Sequence, residues 1–444
     1  MSEWQSVTLG HLSTQRKGIN YKSEDYGSRH SGHPFLTIKC FVKGGGYQPT
    51  GIKFYDGFST KADHLHPGDI LFSVTDLTRA GDIVGSPLKV PDFGEGKPAL
   101  ASMDCMRIEP VAGRCDKDFL YHLLMLSEVR RQMVAYSAGS TVLHLDTKKV
   151  PDIVVRIPVG TSVQRRVATI LTSIDRAIEK TEALIEKYQQ IKAGLMHDLF
   201  TRGVLPNSQL RPPRDQAPEL YQKTAIGWIP QDWECERLGS ILLKSGGYLQ
   251  TGPFGSQLHA DEYQNEGIPV VMPQDINDGL IGTTSIARIS GVRAKTLSRH
   301  SLKVGDIIIA RRGELSRAAA VGNDEADWIC GTGCFLLRLG RTDLNHFFFS
   351  HAYRHDLIQR QIAGMQVGTT MPSLNNNVMS RVLFPLPKPA EQNEISRRLD
   401  VTEKKICSLQ YHGRKLQQQK FGLMLDLLTG KVPVKVGAGE TANG

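Results

Sequence analysis

Several short strings in this chain carry the residue types that catalysis uses, and each lacks the surroundings its chemistry demands. Asp324-Glu325-Ala326-Asp327 spells a helicase box, but no G-x-x-x-x-G-K-[ST] loop is present to cradle nucleotide phosphates. Pro91-Asp92 followed by Glu95-Gly96-Lys97 matches a metal-nuclease pattern in letters only. Such a nuclease holds its acidic groups and lysine on rigid strands around a metal, whereas Gly94 and Gly96 make this segment a turn. Cys330 and Cys334 have no second Cys or His pair at finger spacing, so they read as small buried residues. His64 with His66, and His351 with His355, offer paired imidazoles without a third ligand. There is no G-x-S-x-G elbow, no G-x-G-x-x-G after a strand and no Asn-Pro-Pro-aromatic tetrapeptide. No catalytic residue and no metal site is therefore expected.

What remains is equipment for binding. Loops rich in glycine, hydroxyls and cations occur at Lys43–Tyr47, Thr75–Arg79, Ser137–Thr141, Thr251–Gln257, Ala310–Arg317 and Gly368–Asn377. Glycine lets backbone N–H groups come close to a ligand, and Arg, Lys, Asn and Gln fork onto phosphates or base edges. The candidate DNA contacts are Lys43, Arg79, Thr141, Arg311, Arg312, Arg317 and Thr370, with Arg311-Arg312 and Arg317 the densest cluster. The plainer reading of each is a solvated loop. Lys plus Arg number 54 against 45 Asp plus Glu, a formal charge of +9, which suits a polyanionic partner but does not identify one.

Loops of this kind must be held by something, and the chain is written twice. Trp4, Leu9 and Gly10 recur as Trp233, Leu238 and Gly239. Gly68-Asp69-Ile70 recurs as Gly305-Asp306-Ile307, and Gly139, Thr141 and Pro158 recur as Gly368, Thr370 and Pro387. Gln164, Asp175, Lys192, Gly194-Leu195-Met196 and Asp198-Leu199 recur as Gln392, Glu403, Lys420, Gly422-Leu423-Met424 and Asp426-Leu427. These blocks keep their order at one offset of roughly 230 residues, the signature of an internal duplication.

Each half reads as a globular unit followed by a long helix. Short apolar runs such as Asp69–Thr75 and Asp306–Ala310 predict strands, and Phe119–Met133 and Asn345–Ile362 predict helices. Without regular βαβ alternation the fold class is α+β. The expected division is a domain over 1–158, a helical spacer over 159–204, a linker over 205–230, a second domain over 231–387, a second spacer over 388–432 and a tail over 433–444. Prolines 206, 212, 213, 218 and 230 mark the linker as an exposed connector. With 444 residues, 40% hydrophobic and 22% charged, each domain can bury an ordinary core. Wholly disordered, collagen-like and disulfide-stapled classes are excluded.

The long helices carry a heptad seam. In the first, Leu171, Ile174, Ile178, Ile185, Leu195 and Leu199 lie on one side, with Thr181, Tyr188 and Lys192 between them. In the second the seam is Leu399, Ile406, Leu409, Leu416, Leu423 and Leu427, interrupted by Gly413. Stripes this long are expected to pair with each other, antiparallel, rather than each lying on its own domain. No basic-plus-apolar leader and no bilayer-spanning run of apolar residues is seen, and seven scattered cysteines suit a reducing compartment, so a cytoplasmic protein is expected.

The segment from Gln164 to Leu184, running on through Lys192-Ala-Gly-Leu-Met-His-Asp-Leu-Phe-Thr-Arg-Gly-Val204, resembles the central helix of type I restriction–modification specificity subunits. Thr251-Gly-Pro-Phe-Gly-Ser256, Pro273-Gln-Asp-Ile276, Gly305-Asp-Ile-Ile308 and Gly368-Thr-Thr370 leading to Pro385-Leu-Pro387 resemble that family's target-recognition domain. The resemblance covers nearly the whole chain; Gly413 and the run Gln417–Gln419 depart from it. It implies a non-catalytic DNA-recognition subunit with two tandem α+β target-recognition domains, each reading half of a bipartite, asymmetric site. The paired helices would set the gap and dock two methylation subunits, on exposed helix positions near Gly194 and Gly422. S-adenosylmethionine, and the ATP and magnesium of restriction–translocation subunits, would lie on those partners and not on this chain. Two other classes stay open at this point: a coiled-coil adaptor without nucleic acid, and a stand-alone DNA-modifying enzyme.

Overall fold

The computed structural model describes residues 3–78, 80–94, 96–255, 257–341, 343–365 and 373–434. They fall into two compact units, one made of Met1–Ala183 with Gln410–Gly444, the other of the continuous segment Leu184–Leu409.

The first unit is built on an antiparallel sheet of Ser13–Lys17 (β1), Ile70–Ser73 (β2), Pro87–Lys89 (β3) and Cys105–Pro110 (β4), in the order β1-β4-β2-β3. The second unit repeats it with Tyr248–Thr251 (β5), Ile307–Ala310 (β6), Ala318–Ala320 (β7) and Cys334–Arg338 (β8), in the order β5-β8-β6-β7. Strands β2 and β6 are buried at every residue, which is why both read as unbroken apolar runs and not as alternation. Each unit adds a three-stranded sheet containing one parallel pair, His33–Leu36 with Leu100–Ala101 in the first and Ile268–Val271 with Ile329–Cys330 in the second. The fold is α+β, and the duplication extends to strand order.

The repeated Gly-Asp-Ile is a structural device. Gly68 and Gly305 take left-handed φ values of 82° and 90°, a conformation cheap only for glycine. The aspartate that follows closes the turn, its carboxylate accepting from His66 N at 2.9 Å in one unit and from Lys303 N at 2.7 Å in the other. The buried charge is then matched by an arginine on the neighbouring strand, Arg107 at 3.0 Å from Asp69 and Arg338 at 2.5 Å from Asp306.

The helical stretch expected over Phe119–Met133 is two helices, Lys117–Leu124 and Ser127–Ala135, and that over Asn345–Ile362 is likewise His346–Arg354 and Asp356–Met365. Asp116 and Asn345 cap the leading helix of each pair.

Thr161–Thr201 (α1) and Pro389–Leu428 (α2) are the long helices. In the first unit, Asp175 meets Lys420 at 2.6 Å while Thr181 faces Gly413, so numbers rise along α1 as they fall along α2. In the second, Lys192 meets Glu403 at 2.8 Å while Val204 N donates to Glu391 at 2.6 Å. The pairing is antiparallel in both. Leu171 and Leu427 are buried in the first unit, with Ile174, Ile178, Leu416 and Leu423 partly covered. Leu199, Leu399 and Ile406 are buried in the second, with Ile185, Leu195 and Leu409 partly covered. Each helix also lies on a globular core: Leu171 and Leu427 join Phe119 and Ile157, and Leu199 and Leu399 join Phe348 and Phe384.

Gln164 and Gln392 recur because each ties the start of a long helix to its domain. Gln164 accepts from Asp116 N at 2.9 Å and donates to Pro158 O at 3.2 Å. Gln392 accepts from Asn345 N and donates to Pro387 O, both at 2.8 Å.

The expectation of an exposed connector over Leu205–Pro230 is corrected. Tyr221–Thr224 and Gly227–Pro230 form a hairpin that buries Tyr221 and Ile229 in the second unit. The prolines sit before the hairpin or at its last position, where no strand interior is interrupted. Arg211, 3% exposed, grips both oxygens of Asp232 at 2.8–2.9 Å and reaches Glu391 at 2.5 Å, so the stretch is stapled to the body. No helix among the described residues is long and apolar enough to cross a membrane.

Candidate nucleic-acid interface

In the second unit one end of the sheet gathers the loops singled out by their composition. β5 runs out into Gly252–Gly255, β6 into Arg311 and the residues after it, and β8 begins after the turn at Gly331–Gly333. Arg311 N donates to Gly333 O at 2.8 Å, Thr332 Oγ1 to Pro253 O at 2.9 Å, and Leu374 N to Arg311 O at 3.0 Å. Arg312 bridges to Ser373, which brings the start of Ser373–Asn377 to the same place.

The three arginines there differ in what they can do. Arg312 is exposed and available to a phosphate or a base edge. Arg311 is partly buried: its Nε donates to Leu374 O at 3.1 Å, and burial, then the neighbouring Arg312, lowers its pKa from the usual range. Arg317 is engaged within the fold. It meets Glu314 at 2.8 Å and Asn277 Oδ1 at 2.9 Å, and donates to the carbonyls of Pro273, Gln274 and Ile276. It is a strut between two loops, and these contacts leave it less free than Arg312 to meet a ligand. Thr370 and the rest of 366–372 lie outside the described residues.

The first unit brings its candidates together differently. Thr75–Asp76 pairs with Leu143–Leu145, whose hairpin partner is Ser137–Ala138, and exposed Thr141 sits in the connecting turn. Asp76, 1% exposed, shapes the adjoining loop by accepting from Thr78 N at 2.7 Å and Ile83 N at 2.5 Å. Lys43 pairs with Asp82 of that loop at 2.6 Å. Arg79, in the middle of it, lies outside the described residues.

The described residues of the strings set aside as chance stay in loops. Asp327 has a left-handed φ of 66°, and Asp92 Oδ1 accepts from Gly94 N at 2.9 Å. Cys330 and Cys334 are fully buried, and burial raises both thiols well above their ordinary range.

One cluster of metal-ligand types was not foreseen: His351, Asp400 and Glu403, with ligand atoms within 4.8 Å of one another. Its charges are already matched. Arg354 reaches His351 Nδ1 at 2.6 Å and Glu403 at 3.0 Å, and Lys192 reaches Glu403 at 2.8 Å. Because arginine only donates, Nδ1 is the acceptor, which leaves Nε2–H to donate to Asp400 at 3.1 Å. A cation would displace two cations, so the arrangement is an ion network that registers the helix pair. The first unit repeats it with His122 Nε2 3.2 Å from Thr172 Oγ1, and with Asp175 paired to Lys420. The signal was in the repeat, where Asp175 and Lys192 recurred as Glu403 and Lys420.

Gly194 is exposed and Gly422 partly so, and a Cβ on either would meet open space. Large apolar side chains are exposed on both helices, Leu184, Ile191 and Val401 in the second unit and Tyr411 and Phe421 in the first.

A family described as the type I restriction modification DNA specificity domain matches this chain twice, over residues 1–190 and 230–415. The type I restriction enzyme MjaVIII specificity subunit of Methanocaldococcus jannaschii is 23% identical over 399 residues, covering 88% of this chain and 87% of that one. The EcoBI specificity subunit of Escherichia coli is 21% identical over 412 residues, covering 89% and 78%. The crystal structure of a type I restriction-modification S subunit from M. genitalium shares the fold, with a TM-score of 0.63 at 15% identity over 98% of this chain and 97% of that one. With both halves matched in order on a duplicated α+β frame, the chain belongs to the type I restriction modification DNA specificity domain family.

Proposed function

We propose that the chain is the DNA sequence-specificity subunit of a type I restriction–modification complex. The observation that carries the reading is the repeated sheet whose end, in the second unit, converges three loops on exposed Arg312. Each unit reads one half of a bipartite site, and because the loop residues differ between units the two halves differ in sequence. The antiparallel helices set the gap, and their exposed apolar residues with the open surfaces at Gly194 and Gly422 dock two methylation subunits. Methyl transfer from S-adenosylmethionine, and ATP- and magnesium-dependent translocation and cleavage, belong to the methylation and restriction subunits. This chain contributes recognition, in the cytoplasm where such a complex meets DNA.

The test is a methylation map. The chain is expressed with its methyltransferase partner in a host lacking adenine methylation, and the genome is sequenced for modified bases. One split motif, two short specified blocks around a fixed gap, is expected, and exchanging residues 2–158 for another chain's equivalent changes one block only. A blank map with no co-purification would overturn the reading in favour of an adaptor. Methylation by this chain without a partner would favour a stand-alone enzyme.

A further inference from the structure

We infer that one loop position, equivalent in the two units, reads bases with opposite chemistry: Asn20 through hydrogen bonds in the first unit and Phe254 through apolar contact in the second. The inference rests on the DNA-recognition function proposed above.

The equivalence comes from the backbone. β1 is followed by Gly18 and β5 by Gly252. A Cβ on Gly18 would lie 2.2 Å from Ser102 O, and one on Gly252 would lie 2.0 Å from Gly331 O. Gly18 N donates to Cys105 O at 3.0 Å, and Gly252 N donates to Cys334 O at 2.9 Å. Both glycines are therefore jammed against the turn leading into the neighbouring strand, and the residue two places on leaves the sheet at the same point.

At that point Gly252 and Pro253 are buried, but Phe254 is 57% exposed. The loop that presents it is stapled. Pro253 O accepts from Thr332 Oγ1, Phe254 N donates to Gln257 Oε1 at 3.2 Å, and Phe254 O accepts from Gln257 N at 2.7 Å. A phenyl ring held in water by these hydrogen bonds is costly to the isolated chain and is the form in which an apolar anchor is presented to a partner. Its loop and Arg311 are both bonded to the Gly331–Gly333 turn, and Arg312 follows Arg311 in the chain. That places a cation for the phosphate backbone at the same end of the sheet as an apolar tip for a base. A ring without hydrogen-bonding atoms distinguishes major-groove edges only through the thymine C5-methyl group. In the first unit the equivalent Asn20 is exposed, and its flanks are fixed by Ile19 N donating to Ala101 O at 2.9 Å and by Tyr21 packing on Phe35 at 5.2 Å. An asparagine amide suits the N6 and N7 edge of adenine.

The experiment uses the chain in complex with its methyltransferase partner and duplexes carrying the mapped target. Thymines on either strand of the half-site read by the second unit are replaced one at a time by deoxyuridine, which removes only the methyl group. One replacement is expected to weaken binding by the wild-type complex about three- to tenfold. Phe254→Ala weakens binding to the thymine duplex by a similar factor and is indifferent to that replacement, with thermal stability unchanged. Asn20→Ala shows the same loss of response to 7-deazaadenine in the other half-site. The inference is overturned if no deoxyuridine affects the wild type, if that half-site contains no thymine, or if Phe254→Ala keeps both affinity and deoxyuridine sensitivity. Wild-type binding without any sequence preference would instead remove the recognition function on which it rests.

Discussion

The indole of Trp233 occupies the space where Gly203 would carry a side chain, with its Cζ2 2.7 Å from that glycine's missing Cβ. Gly203 lies just beyond the end of α1, at φ 65°, and Trp233 also donates through Nε1 to Glu391 at 3.0 Å. The first unit repeats the relationship with Gly430, φ 75°, against Trp4. Thus the tryptophan that opens each globular repeat rests on the end of the helix that belongs, in sequence, to the other repeat.

Gly203→Ala adds left-handed strain and a clash with the buried Arg211–Glu391 ion pair as well as with the indole, and is expected to destabilise the second unit by about 2–4 kcal/mol. Urea unfolding followed by tryptophan fluorescence measures it. A loss below about 0.5 kcal/mol would mean that the ion pair and the indole both relax freely.

Gly413→Ala should act in the opposite direction. Gly413 lies inside α2, and an added Cβ meets Thr181 Cγ2 at 3.6 Å, an ordinary contact. With no clash, the helix propensity of alanine is expected to raise stability by about 0.5–1 kcal/mol. A lowered midpoint in the same unfolding assay would show that the helix crossing is tighter than this distance.

Acid stability should fall within a defined window. Burial pushes His122 down to about 3 and His355 down to about 4, and lowers His351 as well. Below pH 6.5 the unfolded chain binds protons that these buried imidazoles refuse, so stability declines as pH falls from about 6.5 toward 4. One such group contributes about 1.4 kcal/mol per pH unit within that window. Unfolding midpoints at pH 7.5, 6 and 5 test the sign, and His122→Phe should flatten the profile.

Arg312 and Arg317 should separate binding from folding. Arg312→Ala is expected to weaken DNA binding by the methyltransferase complex about tenfold and to leave the melting temperature unchanged. Arg317→Ala should lower the melting temperature by several degrees, because it vacates contacts with Glu314, Asn277 and three carbonyls. Equal effects of both variants on DNA binding, with stability intact, would overturn this assignment.

The frame was legible in the sequence where a residue's role is set by its own surroundings. The heptad positions from Leu171 to Leu427 needed only periodicity, and the α+β class followed from short apolar runs broken by glycine and proline. The duplication marked Gly68-Asp69 and Gln164, although what those residues do appears only with their partners Arg107 and Asp116. Side-chain roles were less legible because they depend on contacts distant in sequence. Arg312 and Arg317 look alike in the chain, and only the approach of Pro273–Asn277 turns one of them into a strut. The hairpin over Tyr221–Pro230 was obscured by the prolines around it, although Thr224 and Gly227, joined by a 2.8 Å hydrogen bond, mark its turn. Phe254 passed as one letter of a glycine-rich loop until burial of its neighbours left it standing out.

The division of the chain also bears on its synthesis. The second unit is one continuous segment and has all its parts once Leu409 has left the ribosome. The first unit is made first but must wait for Leu427 and Leu428 to fill its core and for Gly430 to meet Trp4. The N-terminal core therefore lacks those two side chains through most of translation, and the repeat that starts earliest is the one completed last.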